Sequence, residues 1–327
     1  MAISKNITVI VNKSWETEPL LNALTNRELI AKIDLLSDFW PFPKELNSPK
    51  NLTDYYDEKR TSVRARFQLK DYQHKARLNV SVWCIEDLMH PDKCPSSSEE
   101  KFNVLPLALV DNPDLVISVS TANCPYENSM NGSVFIGAES FLFNGCPDNP
   151  ESKLNPEGAL NTLMPSNVNA AIFTRMNDLF NPAVIDNLLT PPNSPAKQLG
   201  FKAASNISVV SSINVTDYHT YSEVDEAALK AFNDVEGKYP DAIETTHGVV
   251  KLRADEIPIL FISPITDRFG HFDDDVTPQQ NYVAAFNAGV VLQELLYLLH
   301  EFVADGNEFA EKRSIPHRGR VRESCKY

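Results

Sequence analysis

Cysteine is scarce in this sequence of 327 residues, and its distribution excludes two ways of stabilising a fold. The five cysteines are scattered and odd in number, which argues against a disulfide framework. No Cys-x-x-Cys pair is present, so the spacing gives no indication of a zinc site, and we expect no metal.

Long apolar runs are also lacking. No run of about 18 or more apolar residues occurs, so we expect no transmembrane helix and no membrane partner. The first residues, Met1 to Asn6, lead directly into an apolar strand without the positively charged start of a signal segment. The sequence is therefore predicted to be cytoplasmic.

Positive charge is in short supply. Lys and Arg number 30 against 44 Asp and Glu, and the net charge of −14 argues against non-specific nucleic-acid binding. The exception is a basic C-terminal tail, predicted over residues 306–327 and expected to be disordered or loosely packed. Three common signatures of doubly wound enzymes are missing too: Gly-x-Gly-x-x-Gly, a Walker loop and a Gly-x-Ser-x-Gly elbow.

What the sequence does contain is an alternation of strands and helices. Apolar, β-branched runs predict strands at 7–11, 63–69, 78–85, 115–119, 133–143, 207–212 and 257–262. Helical patterns predict helices from Trp15, at 99–110, 169–180, 183–189, 225–236 and 241–254, and from Thr277 to about Phe302. This alternation predicts a single α/β domain over residues 1–305, with a central mixed, mostly parallel sheet flanked by helices. Pro- and Asn-rich stretches at about 40–60 and 146–200 are predicted insertions.

Polar residues follow several of the predicted strands. They are Asn12-Lys13, residues 120–123, residues 211–218, and the stretch from Ser263 to Asp267. Ligands of open α/β sheets bind outside the carboxyl ends of the strands, so these groups and Glu244 could converge on one pocket.

The order of these motifs resembles that of a known superfamily. Residues 112–122, containing Pro113-Asp114 and ending in Ser120-Thr121-Ala122, are similar to its strand that ends in a Gly-Thr-Ala-Gly turn. Residues 131–139 resemble a second strand ending in glutamate, and Asp241 to Thr245 resembles its Asp-Met-Glu segment. Residues 258–267 with the long helix after them complete the set. The superfamily comprises purine nucleoside phosphorylase, uridine phosphorylase and methylthioadenosine/S-adenosylhomocysteine nucleosidase.

The resemblance implies cleavage of an N-glycosidic bond. It assigns Asp267 as the acid that protonates the leaving base, a role that requires a raised pKa. It assigns Glu244 to the ribose hydroxyls, with Ile243 in place of the methionine that packs on the sugar. Local sequence permits plainer roles, because Asp267 also suits a turn, and Asp241 with Glu244 three residues later is a helix-capping pattern.

The other predicted site residues lie on the side of the attacking group. By resemblance, Thr121, Ser120 and Asn12 would bind phosphate or position water, and a residue near Val215 would line the base. Ser120 and Asn123 replace glycines of the family, and four arginines that could clamp phosphate, Arg64, Arg66, Arg77 and Arg268, lie outside any convincing motif.

Two glutamates at the start of the first helix, Glu16 and Glu18, could activate water as in hydrolytic members. Acidic residues in a first helical turn also complement the helix dipole without any catalytic role.

The leading hypothesis is therefore an enzyme that cleaves a nucleoside by phosphorolysis, as a transferase, or by hydrolysis. The alternatives are a catalytically impaired nucleoside-binding protein on the same fold and an unrelated doubly wound enzyme. We expect a homo-oligomer, a small-molecule nucleoside substrate and no cofactor, with inorganic phosphate as co-substrate if the enzyme is a phosphorylase.

Overall fold

The computed structural model describes residues 3–25, 63–70, 76–89, 98–125, 130–144, 153–154, 166–181, 185, 188–191, 199–212, 221–271 and 275–310. The predicted insertion at 40–60, most of the second insertion, Val215 and the tail beyond residue 310 lie outside these residues. The predicted helix at 183–189 lies mostly outside them as well.

The first half of the chain begins with the predicted β–α unit. Its elements are β1 (Ile3–Val11), α1 (Ser14–Thr25), β2 (Ala65–Lys70), β3 (Ala76–Cys84), α2 (Ile85–Leu88), α3 (Ser98–Ala108), β4 (Leu115–Val119) and β5 (Ala122–Cys124). They are followed by β6 (Val134–Gly137), β7 (Glu139–Asn144), β8 (Lys153–Leu154) and α4 (Ser166–Leu179).

The second half supplies the remaining strands and the longest helix. Its elements are β9 (Phe201–Ala203), β10 (Ser208–Ser212), α5 (Tyr221–Glu236), β11 (Ala242–Glu244), α6 (His247–Ala254), β12 (Ile259–Arg268) and α7 (Pro278–Ala304).

One mixed sheet runs through the described chain in the order β2-β3-β1-β4-β12-β5-β11-β10-β7-β8, with β6 pairing β12 and β9. β3, β1, β4 and β12 are mutually parallel neighbours, as are β11, β10 and β7. The predicted α/β class with a mixed, mostly parallel sheet is confirmed.

Helices cover both faces of the sheet. On one face, side chains such as Val9, Leu78 and Ile117 join the core under α7. On the other face, Ile10 and Trp83 pack with residues of α2, α3 and α6. Burial on both faces explains why the central strands read as continuous apolar runs.

α7 begins as its sequence predicts. The Thr277 hydroxyl accepts a hydrogen bond from Gln280 N at 3.1 Å, and Pro278 occupies the first turn. Only half of a capping box forms, because the Gln280 amide donates to the Asp275 carbonyl instead of reaching back to Thr277. Gly289 lies against the backbone of Leu20, where a side chain would prevent α1 and α7 from packing closely.

By length and composition alone, α7 is the one helix of the described chain that could cross a membrane. Its most apolar stretch has a mean hydropathy of 1.5, and 83% of that stretch is buried within the protein. Core packing therefore accounts for its apolar sequence.

Two segments that were each predicted as one element are divided into two elements in the structure. The strand predicted at 133–143 is two strands, β6 and β7, which pair with different neighbours. β6 ends at Gly137, whose Cα lies against the Phe261 ring, so that any side chain there would collide with it.

The helix predicted at 241–254 is instead the short strand β11 followed by α6 from His247. Asp241 caps no helix, since its carboxylate accepts from Ser208 N at 2.9 Å and forms an ion pair with Lys202. Pairing of 242–244 with β10 outweighs a local helix preference.

Candidate active site

Polar side chains follow the parallel neighbours β1 and β4 at one edge of the sheet. Asn12 comes directly after β1, and Ser120 and Thr121 come directly after β4. Asp267 of β12 and Ile243 of β11 lie on either side of Asn123 in β5, which runs parallel to β12 and antiparallel to β11. Glu244 is the residue after Ile243, so strand pairing brings residues that are distant in sequence together around β5.

Glu16 lies beside the carboxyl ends of β1 and β4. It lies in the first turn of α1 with 2% of its surface exposed. One carboxylate oxygen accepts from Thr121 N at 3.0 Å and from the Thr121 hydroxyl, and the other accepts from Lys13 N at 2.9 Å. Burial raises the pKa of Glu16, and these hydrogen bonds oppose the rise.

Glu18 differs from Glu16 although the two are separated by one residue. Two positions along a helix correspond to a rotation of about 200°, so Glu18 points away from the sheet and is exposed. The structure therefore brings Glu16 to the site and leaves Glu18 at the surface.

Glu244 ends β11 and is buried. One oxygen accepts from the Ser211 hydroxyl, and the other accepts from Thr246 N and from His247 N, the latter at 2.9 Å. Burial raises the pKa of Glu244. The carboxylate thus holds the turn before α6 and still has acceptor capacity on the oxygen that Ser211 contacts.

Two residues outside the predicted site, Lys101 and His247, hold the turn that follows Glu244. Lys101 of α3 is fully buried, and its ammonium donates to Thr245 O at 3.0 Å, to the Thr245 hydroxyl at 2.9 Å and to the Thr246 hydroxyl at 3.1 Å. His247 is buried between the hydroxyls of Ser118 (2.7 Å) and Ser263 (3.0 Å). Burial lowers the pKa of His247 to about 3, so the ring is neutral and serves packing.

Asp267 lies inside β12, which ends at Arg268 and so extends beyond the predicted strand at 257–262; Asp267 is therefore not a turn residue. It is 7% exposed and accepts from the Thr266 hydroxyl at 2.7 Å. Burial, opposed by that hydrogen bond and assisted by the charges of Asp225 and Asp275, raises its pKa to about 7. An aspartate in this state is protonated in a large fraction of molecules at neutral pH.

Asp225 is the acid that sequence analysis missed. It belongs to α5, is 6% exposed, and accepts from Ser212 Oγ at 2.5 Å and from Asn123 Nδ2 at 2.8 Å. The signal was its position on an apolar helical stripe with Ala228, Leu229 and Phe232, where a charged residue is unusual.

The remaining predicted residues occupy supporting positions. Ile243 is buried in β11, and Ser120 is buried with its hydroxyl 3.3 Å from Thr121 O. Asn12 follows β1, and its buried side-chain oxygen has no partner among the described residues. Val215 lies outside the described chain.

The four arginines considered as phosphate clamps do not line this edge as free cations. Arg64, Arg66 and Arg268 form ion pairs with Asp87, Asp111 and Asp275, respectively. Arg77 lies near the amino end of β3, at the far end of the sheet from the site.

A groove of about 510 Å³ opens elsewhere, lined by β1, β2, β3 and Asp111. It contains none of the predicted site residues and lies away from the carboxyl ends of the strands. Within the described ranges, no group of three or more His, Cys, Asp or Glu side chains is arranged to hold a metal ion.

Comparison with known proteins finds the fold through structure alone. No family model matches the sequence, and no curated protein matches it. Solved structures do match over nearly their whole length.

Three of the matching structures are methylthioadenosine/S-adenosylhomocysteine nucleosidases. The Helicobacter pylori enzyme with a pyrrolopyrimidine–pyrrolidinol ligand has a TM-score of 0.51 at 10% identity, covering 90% of this chain and 99% of its own. The Campylobacter jejuni enzyme has a TM-score of 0.50 at 9% identity, with coverage of 90% and 99%. A mutant of the Helicobacter pylori enzyme with 5′-methylthioadenosine in its active site has a TM-score of 0.50 at 10% identity, with coverage of 89% and 98%.

The chain has the nucleoside phosphorylase/nucleosidase fold. The predicted resemblance is confirmed at the level of fold, whereas the domain limits, the roles of the site residues, the cytoplasmic location and the homo-oligomeric state stay predictions.

Proposed function

We propose that this protein hydrolyses the N-glycosidic bond of a nucleoside. The observation that carries the proposal is the position of Glu16. Its carboxylate accepts from Lys13 N, Thr121 N and the Thr121 hydroxyl, the donors that would otherwise hold an anion at the strand-to-helix junction. A phosphate ion would have to displace this carboxylate and approach its negative charge, whereas a water molecule would not.

Glu16 in its ionised form is the base that removes a proton from the attacking water. As the proton leaves, the water oxygen bonds to C1′ of the sugar and the bond from C1′ to the base nitrogen breaks. The three hydrogen bonds favour the ionised form of Glu16 against the effect of burial.

Asp267 supplies the proton that the leaving base needs. Its pKa of about 7 keeps a proton available at neutral pH while allowing its transfer to a ring nitrogen. The rate should fall as pH rises above about 7, because the ionised carboxylate cannot act as an acid.

Glu244 is assigned to the ribose hydroxyls. The oxygen that contacts Ser211 can accept one further hydrogen bond, while Ile243 next to it in β11 is fully buried. Lys101 keeps the turn before α6 in the position from which Thr246 N and His247 N orient this carboxylate.

The experiment is a nucleoside panel assayed for free base with and without inorganic phosphate. It includes methylthioadenosine and S-adenosylhomocysteine, the substrates after which the structural neighbours are named. Release of base that is equal in both conditions supports hydrolysis, and release that depends on phosphate contradicts it.

A nucleoside-binding protein without turnover is the second candidate. It is favoured by the extent to which the chain itself satisfies Glu16 and Glu244, each of which accepts three hydrogen bonds. Calorimetric binding of a nucleoside with no base released over the same panel would support it.

A further inference from the structure

Asp225 is a buried acid with no part in the proposed reaction. Its carboxylate accepts from two neutral donors, Ser212 Oγ at 2.5 Å and Asn123 Nδ2 at 2.8 Å. Burying a carboxyl group is costly, and natural proteins usually pair such a group with a cation. Among the described residues, the charges that act on Asp225 and Asp267 belong to other acids: Glu244 acts on Asp225, and Asp225 and Asp275 act on Asp267.

The two donors connect Asp225 to both halves of the site. Asn123 lies in β5 between two partners, with Asp267 opposite it in β12 and Ile243 opposite it in β11. Ser212 ends β10, and its hydroxyl also lies 3.4 Å from Glu244 O. Asp225 thus joins β5, the neighbour of the strand that carries Asp267, to β10, the neighbour of the strand that carries Glu244.

Asn123 is further arranged to meet a ligand. Its amide nitrogen is used by Asp225, while its side-chain oxygen is buried and has no partner within the described chain. An orphaned acceptor beside Asp267 suits an N–H group of a bound base.

We propose that Asp225 is a positioning residue for the leaving-group acid: through Asn123 it holds the residue paired with Asp267, through Ser212 it holds the end of β10, and its negative charge opposes ionisation of Asp267. The inference rests in part on the proposed hydrolysis, in which Asp267 must be protonated. Two neighbouring carboxyls in a buried site resist simultaneous ionisation, because the second negative charge meets the first. Burial is the main cause of the raised pKa of both groups, about 6 for Asp225 and about 7 for Asp267, and the charge of Asp225 adds to the rise at Asp267.

The test is Asp225→Asn, which removes the charge and keeps the size of the side chain. We expect the alkaline limb of the pH profile of kcat/KM to move to lower pH by about one unit, giving a roughly tenfold loss at pH 8 with little change at pH 6. Asp234→Asn, on the exposed face of the same helix, is the matched control and should leave the profile unchanged.

A titration of the Asp267 carboxyl by ¹³C NMR separates this proposal from the proposed function, because it requires no turnover. The pKa of Asp267 should fall in Asp225→Asn even if no nucleoside is hydrolysed. If that variant fails to fold, Ser212→Ala is titrated instead. Loss of a donor makes Asp225 harder to ionise, so the pKa of Asp267 should again fall. An unchanged pKa of Asp267 in the folded variant would overturn the proposal.

Discussion

Glu16 and Asp267 are both buried carboxyl groups, yet their surroundings differ. Glu16 receives three hydrogen bonds, two of them from backbone N–H groups, and all of them favour its ionised form. Asp267 receives one from Thr266 and faces the further acids Asp225 and Asp275. Burial raises the pKa of both groups, but three hydrogen bonds oppose the rise at Glu16, whereas at Asp267 one hydrogen bond opposes it and neighbouring charges add to it. This difference is the basis for proposing a base at Glu16 and an acid at Asp267.

Asp267→Asn should remove the acid of the proposed reaction. Asparagine cannot transfer a proton to the base, so kcat should fall by about 10²–10⁴-fold. Base release measured by chromatography gives the rate, and circular dichroism checks the fold. Undiminished activity in a folded variant would remove Asp267 from the mechanism.

Glu16→Gln should remove the base of the proposed reaction. Glutamine keeps the size and can still accept from Thr121, but it cannot take a proton from water. We expect kcat to fall by about 10²–10³-fold, in the range of a lost general base, with a smaller change in KM. Glu18→Gln is the control because it neutralises an exposed glutamate of the same helix. Equal effects of the two substitutions would mean that Glu16 acts through helix charge alone.

Lys101→Met should destabilise the turn that holds Glu244. The change removes a donor from two oxygens of half-buried Thr245 and from the hydroxyl of buried Thr246, and an unsatisfied buried group costs about 1–3 kcal/mol. Partial relaxation should limit the loss in the free energy of unfolding to about 2–4 kcal/mol. Denaturant unfolding measures it, with exposed Lys230→Met as the control. A loss no greater than that of the control would contradict the role of Lys101.

The parts of the fold that could be predicted are those with strong periodicity. Strands such as Leu115–Val119 and the capped start of α7 follow from local sequence. The strand Ala242–Glu244 could not be predicted, because three residues carry too little periodicity and their state is set by pairing with β10 and β5.

The site follows the same division. The order of motifs along the chain predicts Asp267, Glu244 and Glu16 as site residues, and the structure buries all three. Asp225 and Lys101 were not predicted, because each lies within a helix that is otherwise read as an apolar stripe facing the core. A charged residue in such a stripe is a signal of a buried polar contact, but only the folded structure identifies the partner.

The identity of the attacking group tests the central claim, namely that Glu16 fills the anion position so that water reacts. The measurement is cleavage of a nucleoside substrate in H₂¹⁸O with inorganic phosphate present, with mass analysis of the sugar product. Hydrolysis predicts a free sugar carrying ¹⁸O at C1′. A sugar 1-phosphate without ¹⁸O at that carbon would contradict the account.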